Sequence, residues 1–382
     1  TEVTVVSGGS VAITNIGIIA PPGAVDDVLS TSQGFTLEAA FSFVGSVDPA
    51  GRVAEIFLPS GYSLQSGTNI ISLGSGVADT ASWNILAPGS AGSAGILVEL
   101  RAQEDPSGDP LSDTLTHPVT VVERAALSLR DEVLEPLGAL DLRVSTDQSF
   151  VMGYYIDNSG VAGTTDSSQV RLVLPTGFSF DPFPAVRTVD TVLVGTDDST
   201  LVRVYTGGTE RLTPQSLTAS IIVAAEDENS NSGSLVIDGN TATSMSIERE
   251  ARLVYSMDSQ QLSVSPGQLF SLSGVLENTG RAGIGPDSTV LITLDTLGTG
   301  FTFAGGDSAN RRLDLSGGSS AVSWDLQAPS VVGTAALYGR VIDAVAYDIN
   351  KYIDSLVVLV QGEDSTEVTV VSGGSVAITN IG

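Results

Sequence analysis

Cysteine is absent from this 382-residue chain, so disulfides, thiolate metal sites and a cysteine nucleophile are all excluded. Lysine occurs once, as Lys351, and histidine once, as His117. With so few bases and nucleophiles, and no motif that carries a mechanism, no catalytic constellation is expected. Positive charge is scarce: 16 Lys and Arg stand against 44 Asp and Glu, a net charge of −28. Nucleic acid and anionic membrane surfaces are therefore poor partners. No apolar run approaches the roughly 18 residues a membrane helix needs, so no membrane insertion is expected. No signal peptide and no acceptor site for N-linked glycosylation are read.

What the chain does have is repetition. Residues 1–17 read TEVTVVSGGSVAITNIG, and residues 366–382 read the same, an offset of 365. Chance does not produce such an identity. One full period of a tandem repeat and the start of the next is the expectation.

A weaker repeat lies inside the period. Gln33, Gln148 and Gln268 each stand two residues before a phenylalanine, Phe35, Phe150 and Phe270. Ten residues after each Phe comes Gly45, Gly160 or Gly280. Each unit then has a β-rich run ending in a glycine–aromatic pair: Gly61-Tyr62, Gly177-Phe178 and Gly300-Phe301. Trp83 and Trp324 each precede a proline by five residues, and core packing is expected for both. Three copies of one domain of about 120 residues follow, a normal domain size. The expected boundaries are 1–10 for the last strand of a preceding unit, 11–125, 126–250 and 251–375 for three domains, and 376–382 for the first strand of the next unit. Joins of two to four residues favour a stiff array.

Each unit reads as antiparallel β. Phe35, Leu37, Ala39, Phe41 and Phe43 alternate with small or polar residues, as do Phe150, Met152, Tyr154 and Ile156. Phe270, Leu272, Gly274 and Leu276 repeat the pattern. Period-2 alternation marks strands with one buried face. No long helical pattern appears. The expected fold is all-β: three tandem immunoglobulin-like sandwiches without disulfides, end to end.

The segments NSGVAG (158–163), NTGRAG (278–283) and VRLVLPTGF (170–178) carry a resemblance. The chain resembles the immunoglobulin-like tandem-repeat domains of prokaryotic extracellular surface proteins, of the CARDB-like conserved-repeat type. Unit one departs with VGS in place of N-x-G, and unit three lacks the Leu-Pro. The resemblance implies a prokaryotic extracellular location and a stalk, adhesin or filament module. It implies no ligand.

Calcium is the one candidate cofactor. Late in each unit comes an acidic polar loop: Asp227, Asn229, Asn231 and Asp238; Asp105, Ser107, Asp109 and Asp113; Asp348, Asn350 and Asp354. Alternating oxygen ligands suit a hard cation. The competing reading is that these residues only make turns. The pairs Asp26-Asp27 and Asp197-Asp198 read as solvated loop charge.

The leading functional expectation is a structural subunit, one 365-residue period of a long extracellular fibre, filament or cell-surface stalk. Its partners are copies of itself, head to tail, with lateral fibre contacts or surface glycans as further candidates. An adhesin recognising a polysaccharide or receptor is the rival, with Tyr154-Tyr155 and Phe180 to Phe183 as its aromatic candidates. A third version assembles the filament by strand donation. Thr1, Glu2, Val3, Thr4, Val5, Val6, Val11, Ala12, Ile13 and Thr14 are the candidate assembly residues at one end. Glu367, Val368, Val370, Val371, Val376 and Ile378 are those at the other.

Overall fold

In the computed structural model, residues 8–105, 107–165, 167–181, 186–192, 198–258, 262–315, 318–351 and 358–372 are described. Thr1 to Val6, Phe183, Asp197, Asp354, Val376 and Ile378 lie outside them. The chain is all-β, with no α-helix among the described residues.

The same pair of sheets forms three times. In the first sandwich Ser10–Ala20, Gly34–Val44, Ala78–Leu86 and Ser63–Ser66 make one antiparallel sheet. The chain then crosses over: Val28–Ser30 joins the other sheet, pairing parallel with Pro110–Val122. Gly92–Gln103, Val53–Phe57 and Ile70–Ser72 complete that sheet. A first strand split between two facing sheets is the immunoglobulin-like solution to having two apolar faces and no helix to cover them. The second and third sandwiches repeat the order. Each adds a short strand, Leu235–Asp238 or Val358–Gln361, parallel to its first strand.

Buried side chains fall into three clusters, spanning Ile13 to Val121, Leu127 to Ile247 and Ala251 to Val370. The alternation read from sequence is what fills them: Phe35, Leu37, Ala39, Phe41 and Phe43 are all buried, as are Phe150, Met152, Tyr154 and Ile156. Trp83 and Trp324 are core residues, and Trp324 Nε1 donates to Ala309 O at 2.8 Å. The glycine–aromatic pairs acquire a reason. Gly61, Gly177 and Gly300 sit at φ of 90°, 100° and 80°, a left-handed turn that disfavours side chains. The turn drops the next aromatic onto the Phe that follows the recurring Gln. Phe35–Tyr62, Phe150–Phe178 and Phe270–Phe301 make edge-on contacts at 6.5, 6.1 and 5.7 Å.

Two core tyrosines set an alkaline limit. Tyr154 and Tyr255 are buried, and Gly274 and Gly339 leave room for the Tyr255 ring. Burial pushes both phenols well above their ordinary value of 10.0, with Asp131 and Asp364 adding to it respectively. The native state thus keeps two protons that the unfolded chain releases near pH 10. Stability is whole below that pH and is lost as pH rises above it. Ultraviolet titration of the eight tyrosines is expected to leave these two untitrated until the chain unfolds.

Candidate functional site: the joints between sandwiches

Two buried aspartates, each held by four donors, lie where one sandwich meets the next. Three residues, Glu123 to Ala125, connect the first sandwich to the second, and three, Arg249 to Ala251, connect the second to the third. Each connector runs close over the glycine read from sequence. A Cβ on Gly160 would lie 2.1 Å from Arg124 O, and one on Gly280 would lie 2.1 Å from Glu250 O. On Gly45 it would lie 2.4 Å from Gly8 O. The glycine is required by this close approach.

The first joint is built around Asp227, which is 0% exposed. Its Oδ2 accepts the Ala125 N–H at 2.8 Å, from the connector itself. Its Oδ1 accepts Ser30 Oγ from the first sandwich at 2.7 Å, and the Asn229 and Ser230 N–H groups at 3.1 and 3.0 Å. Gln33 stands beside it. Its Oε1 accepts the Ser30 N–H at 2.6 Å, and its Nε2 donates across the joint to Asn229 O at 2.7 Å. Asn229 Nδ2 donates back to Ser30 Oγ at 3.3 Å. Arg124 Nη2 donates to Ser232 Oγ and Gly233 O, at 2.9 and 2.7 Å.

The second joint repeats the aspartate, serine and glutamine bonds. Asp348 Oδ2 accepts the Ala251 N–H at 2.8 Å, and Ser145 Oγ donates to Oδ1 at 2.8 Å. Asn350 and Lys351 N–H groups supply Oδ1 at 2.9 and 3.3 Å. Gln148 Oε1 accepts from Ser145 N–H at 2.6 Å, and its Nε2 donates to Asn350 O at 2.8 Å. The single lysine finds its place: Lys351 Nζ donates to Glu250 Oε2 at 2.8 Å. Aspartate is well chosen for both sites. Its two oxygens offer about four acceptor positions, and four protein donors fill them. A charge-assisted bond to backbone N–H is also among the stronger kinds.

Two of the three acidic loops read as calcium candidates therefore supply these joints. Asp227, Asn229, Asp348 and Asn350 are buried in them. Asn231 is exposed, and its Oδ1 accepts the Gly23 N–H at 2.6 Å. Asp238 belongs elsewhere, at the end of Leu235–Asp238, where it accepts from Asn240 N–H at 3.4 Å. In the first sandwich Asp105 and Asp109 are exposed, Ser107 Oγ donates to Glu104 Oε2 at 3.1 Å, and Asp113 Oδ2 accepts the Ile13 N–H at 2.7 Å. Among the described residues no three Asp, Glu, His or Cys side chains gather as a metal site. With the Asp227 and Asp348 carboxylates each holding four N–H and O–H donors, chelating divalent ions is expected to leave the melting temperature of the chain unchanged. Calorimetry with and without a chelator checks this.

The other candidates are placed as follows. His117 is buried, and its Nε2 lies 2.8 Å from Asp27 Oδ1, so the lone histidine ties a turn to a strand. Tyr154 and Phe180 are core residues, and Tyr155 lies under the Arg130 guanidinium at 4.0 Å. Val11, Ala12 and Ile13 pair with Phe43, Ser42 and Phe41 of the same sandwich, and Thr14 lies in that strand, its Oγ1 donating to Ala40 O at 3.1 Å. At the other end Glu367, Val368 and Val370 pair with Ala336, Ala335 and Gly333, and the Val371 N–H donates to Val264 O at 2.8 Å. No helix among the described residues is long and apolar enough to cross a membrane.

Sequence reasoning singled out Gln33, Gln148 and the acidic loops but missed that they meet, and it missed Ser30, Ser145, Gly23 and Gly138; a Cβ on Gly138 would lie 2.0 Å from Ile349 O across the second joint. The available signal was the recurrence of Ser-x-x-Gln at 30–33, 145–148 and 265–268, each upstream of a loop with an acid.

No protein-family model matches this sequence, and no curated protein gives a significant match. The solved structures to which the chain is similar include an I-band fragment of titin, at 10% identity over 96% of this chain and 99% of that one, with a TM-score of 0.29. Escherichia coli α2-macroglobulin in its native conformation is similar at 8% identity over 94% of this chain and 23% of that one, with a TM-score of 0.23. A Porphyromonas gingivalis protein of unknown function is similar at 9% identity over 60% of this chain and 97% of that one, with a TM-score of 0.20. The immunoglobulin-like assignment rests on the chain's own strand pairing.

Proposed function

We propose that this chain is a repeating structural subunit of a long extracellular fibre or surface stalk, copies following one another head to tail. The observation that carries the reading is the pair of joints. The same buried aspartate, serine and glutamine recur at both, so successive sandwiches are latched by one design. An array of such units sums nearest-neighbour interfaces. An open head-to-tail contact gives a filament without a defined end. The sequence identity of 1–17 with 366–382 supplies the reason for one repeat to follow another. A net charge of −28 per chain keeps neighbouring fibres apart.

The experiment is immunoelectron microscopy of intact source cells with an antibody against this chain. Labelled filaments with evenly spaced antibody along their length are expected. Label confined to the cell interior, or scattered label with no filament, overturns the proposal.

A further inference from the structure

The pole of the third sandwich carries half of the same joint. Ser265 N–H donates to Gln268 Oε1 at 2.7 Å, as Ser30 does to Gln33 and Ser145 to Gln148, both at 2.6 Å. Gln268 is thus held in the posture its counterparts use. They are 5% and 4% exposed because the following sandwich covers them, whereas Gln268 is exposed. The first sandwich, at its opposite pole, carries the other half. Glu104 bridges Val47 as Asp227 bridges Thr164 and Asp348 bridges Ile284. Its Oε1 accepts the Gly9 N–H at 2.8 Å, the bond that Asp227 takes from Ala125 and Asp348 from Ala251.

Both poles also expose apolar side chains that their counterparts lack. Leu269, Val331 and Val332 are 65%, 72% and 55% exposed. The aligned positions of the first sandwich hold Gly34, Ser90 and Ala91. Val44 and Val77 are 63% and 82% exposed, and their aligned positions in the third sandwich hold Thr279 and Gly318. The last alignment is structural: Val77 O and Gly318 O accept the N–H groups of Phe43 and Asn278.

We infer that the Ser265–Gln268 pole of the third sandwich receives the Glu104 pole of the first sandwich of a second copy. Glutamate replaces aspartate in the latch, and the two valine-bearing rims add an apolar contact absent from the internal joints. This rests on the fibre reading and names the surface through which that fibre grows. By the seventeen-residue identity Ser372 corresponds to Ser7, so these are the two poles that meet when one repeat follows another. Removing both apolar rims from water favours association without any directional requirement. The polar latch fixes the angle.

The absence of cysteine makes the test clean. Full-length Ser107→Cys chain is mixed with full-length Leu269→Cys chain under a thiol oxidant. Their counterparts in the first joint, Ser230 and Gly34, line one pocket. The mixed disulfide is expected to form about tenfold faster than that between Ser107→Cys and a Ser216→Cys chain, whose thiol lies mid-sheet. Adding Glu104→Lys to the first chain is expected to remove the difference. Equal rates for the two pairs, or indifference to Glu104→Lys, overturn the inference. Labelled filaments on cells without this cross-link would defeat this joint alone. The cross-link without filaments would defeat the fibre reading alone.

Discussion

Asp227→Ala is expected to uncouple the first and second sandwiches. The substitution leaves the Ala125, Asn229 and Ser230 N–H groups and the Ser30 hydroxyl without their acceptor in a site that is fully buried. Orphaning buried donors costs more than the net worth of the bonds themselves. A loss of about 3 kcal/mol is expected, because several donors are stranded at once. Calorimetry should show the transition of the second sandwich broaden and fall in temperature. Small-angle scattering should show a wider range of interdomain angles. Asp348→Ala is expected to do the same at the second joint, where Lys351 and Glu250 would lose their fixed spacing. An unchanged melting profile in both variants would mean that the latch is decoration on sandwiches that stand independently.

Gly138→Val should open the second joint by a different route. A Cβ on Gly138 would lie 2.0 Å from Ile349 O and 2.7 Å from Asn350 O, both backbone atoms of the following sandwich. The backbone of Gly138 is not in the left-handed region, so a side chain brings no local strain. The whole cost falls on the contact between sandwiches. Overpacking of this kind costs about 1–3 kcal/mol. Gly23→Val is the equivalent at the first joint, with Glu228 O at 1.9 Å. The signature to look for is selective: each sandwich keeps its own melting transition while the joint becomes accessible to proteases. A variant that instead destabilised its own sandwich would place the glycine's role inside the domain. Gly160→Val makes the contrast, since its Cβ would meet Arg124 O of the connector at 2.1 Å and push the connector off its own sandwich as well.

Much of the fold was legible in the residues. Alternation at Phe35 to Phe43 and Phe150 to Ile156 is a local property of a pleated strand, and the faces it implies are those that are buried. The glycine–aromatic pairs were visible as a pattern, though their purpose, dropping Tyr62, Phe178 and Phe301 onto a Phe 27 or more residues earlier, was not. The loops at Asp227 and Asp348 were legible as acidic turns. Their partners were not, because Ser30 lies 197 residues from Asp227 and Ser145 lies 203 from Asp348. A loop's composition says that its oxygens need donors; it does not say whether a cation or a neighbouring domain supplies them.

The sequence by itself determined the strand pattern and the repeat, since these follow from side-chain period and from recurrence along the chain. Only the tertiary structure decided that the acid, the serine and the glutamine belong to one latch. Those groups come from different sandwiches, and what makes the site is their shared exclusion from water when the poles meet.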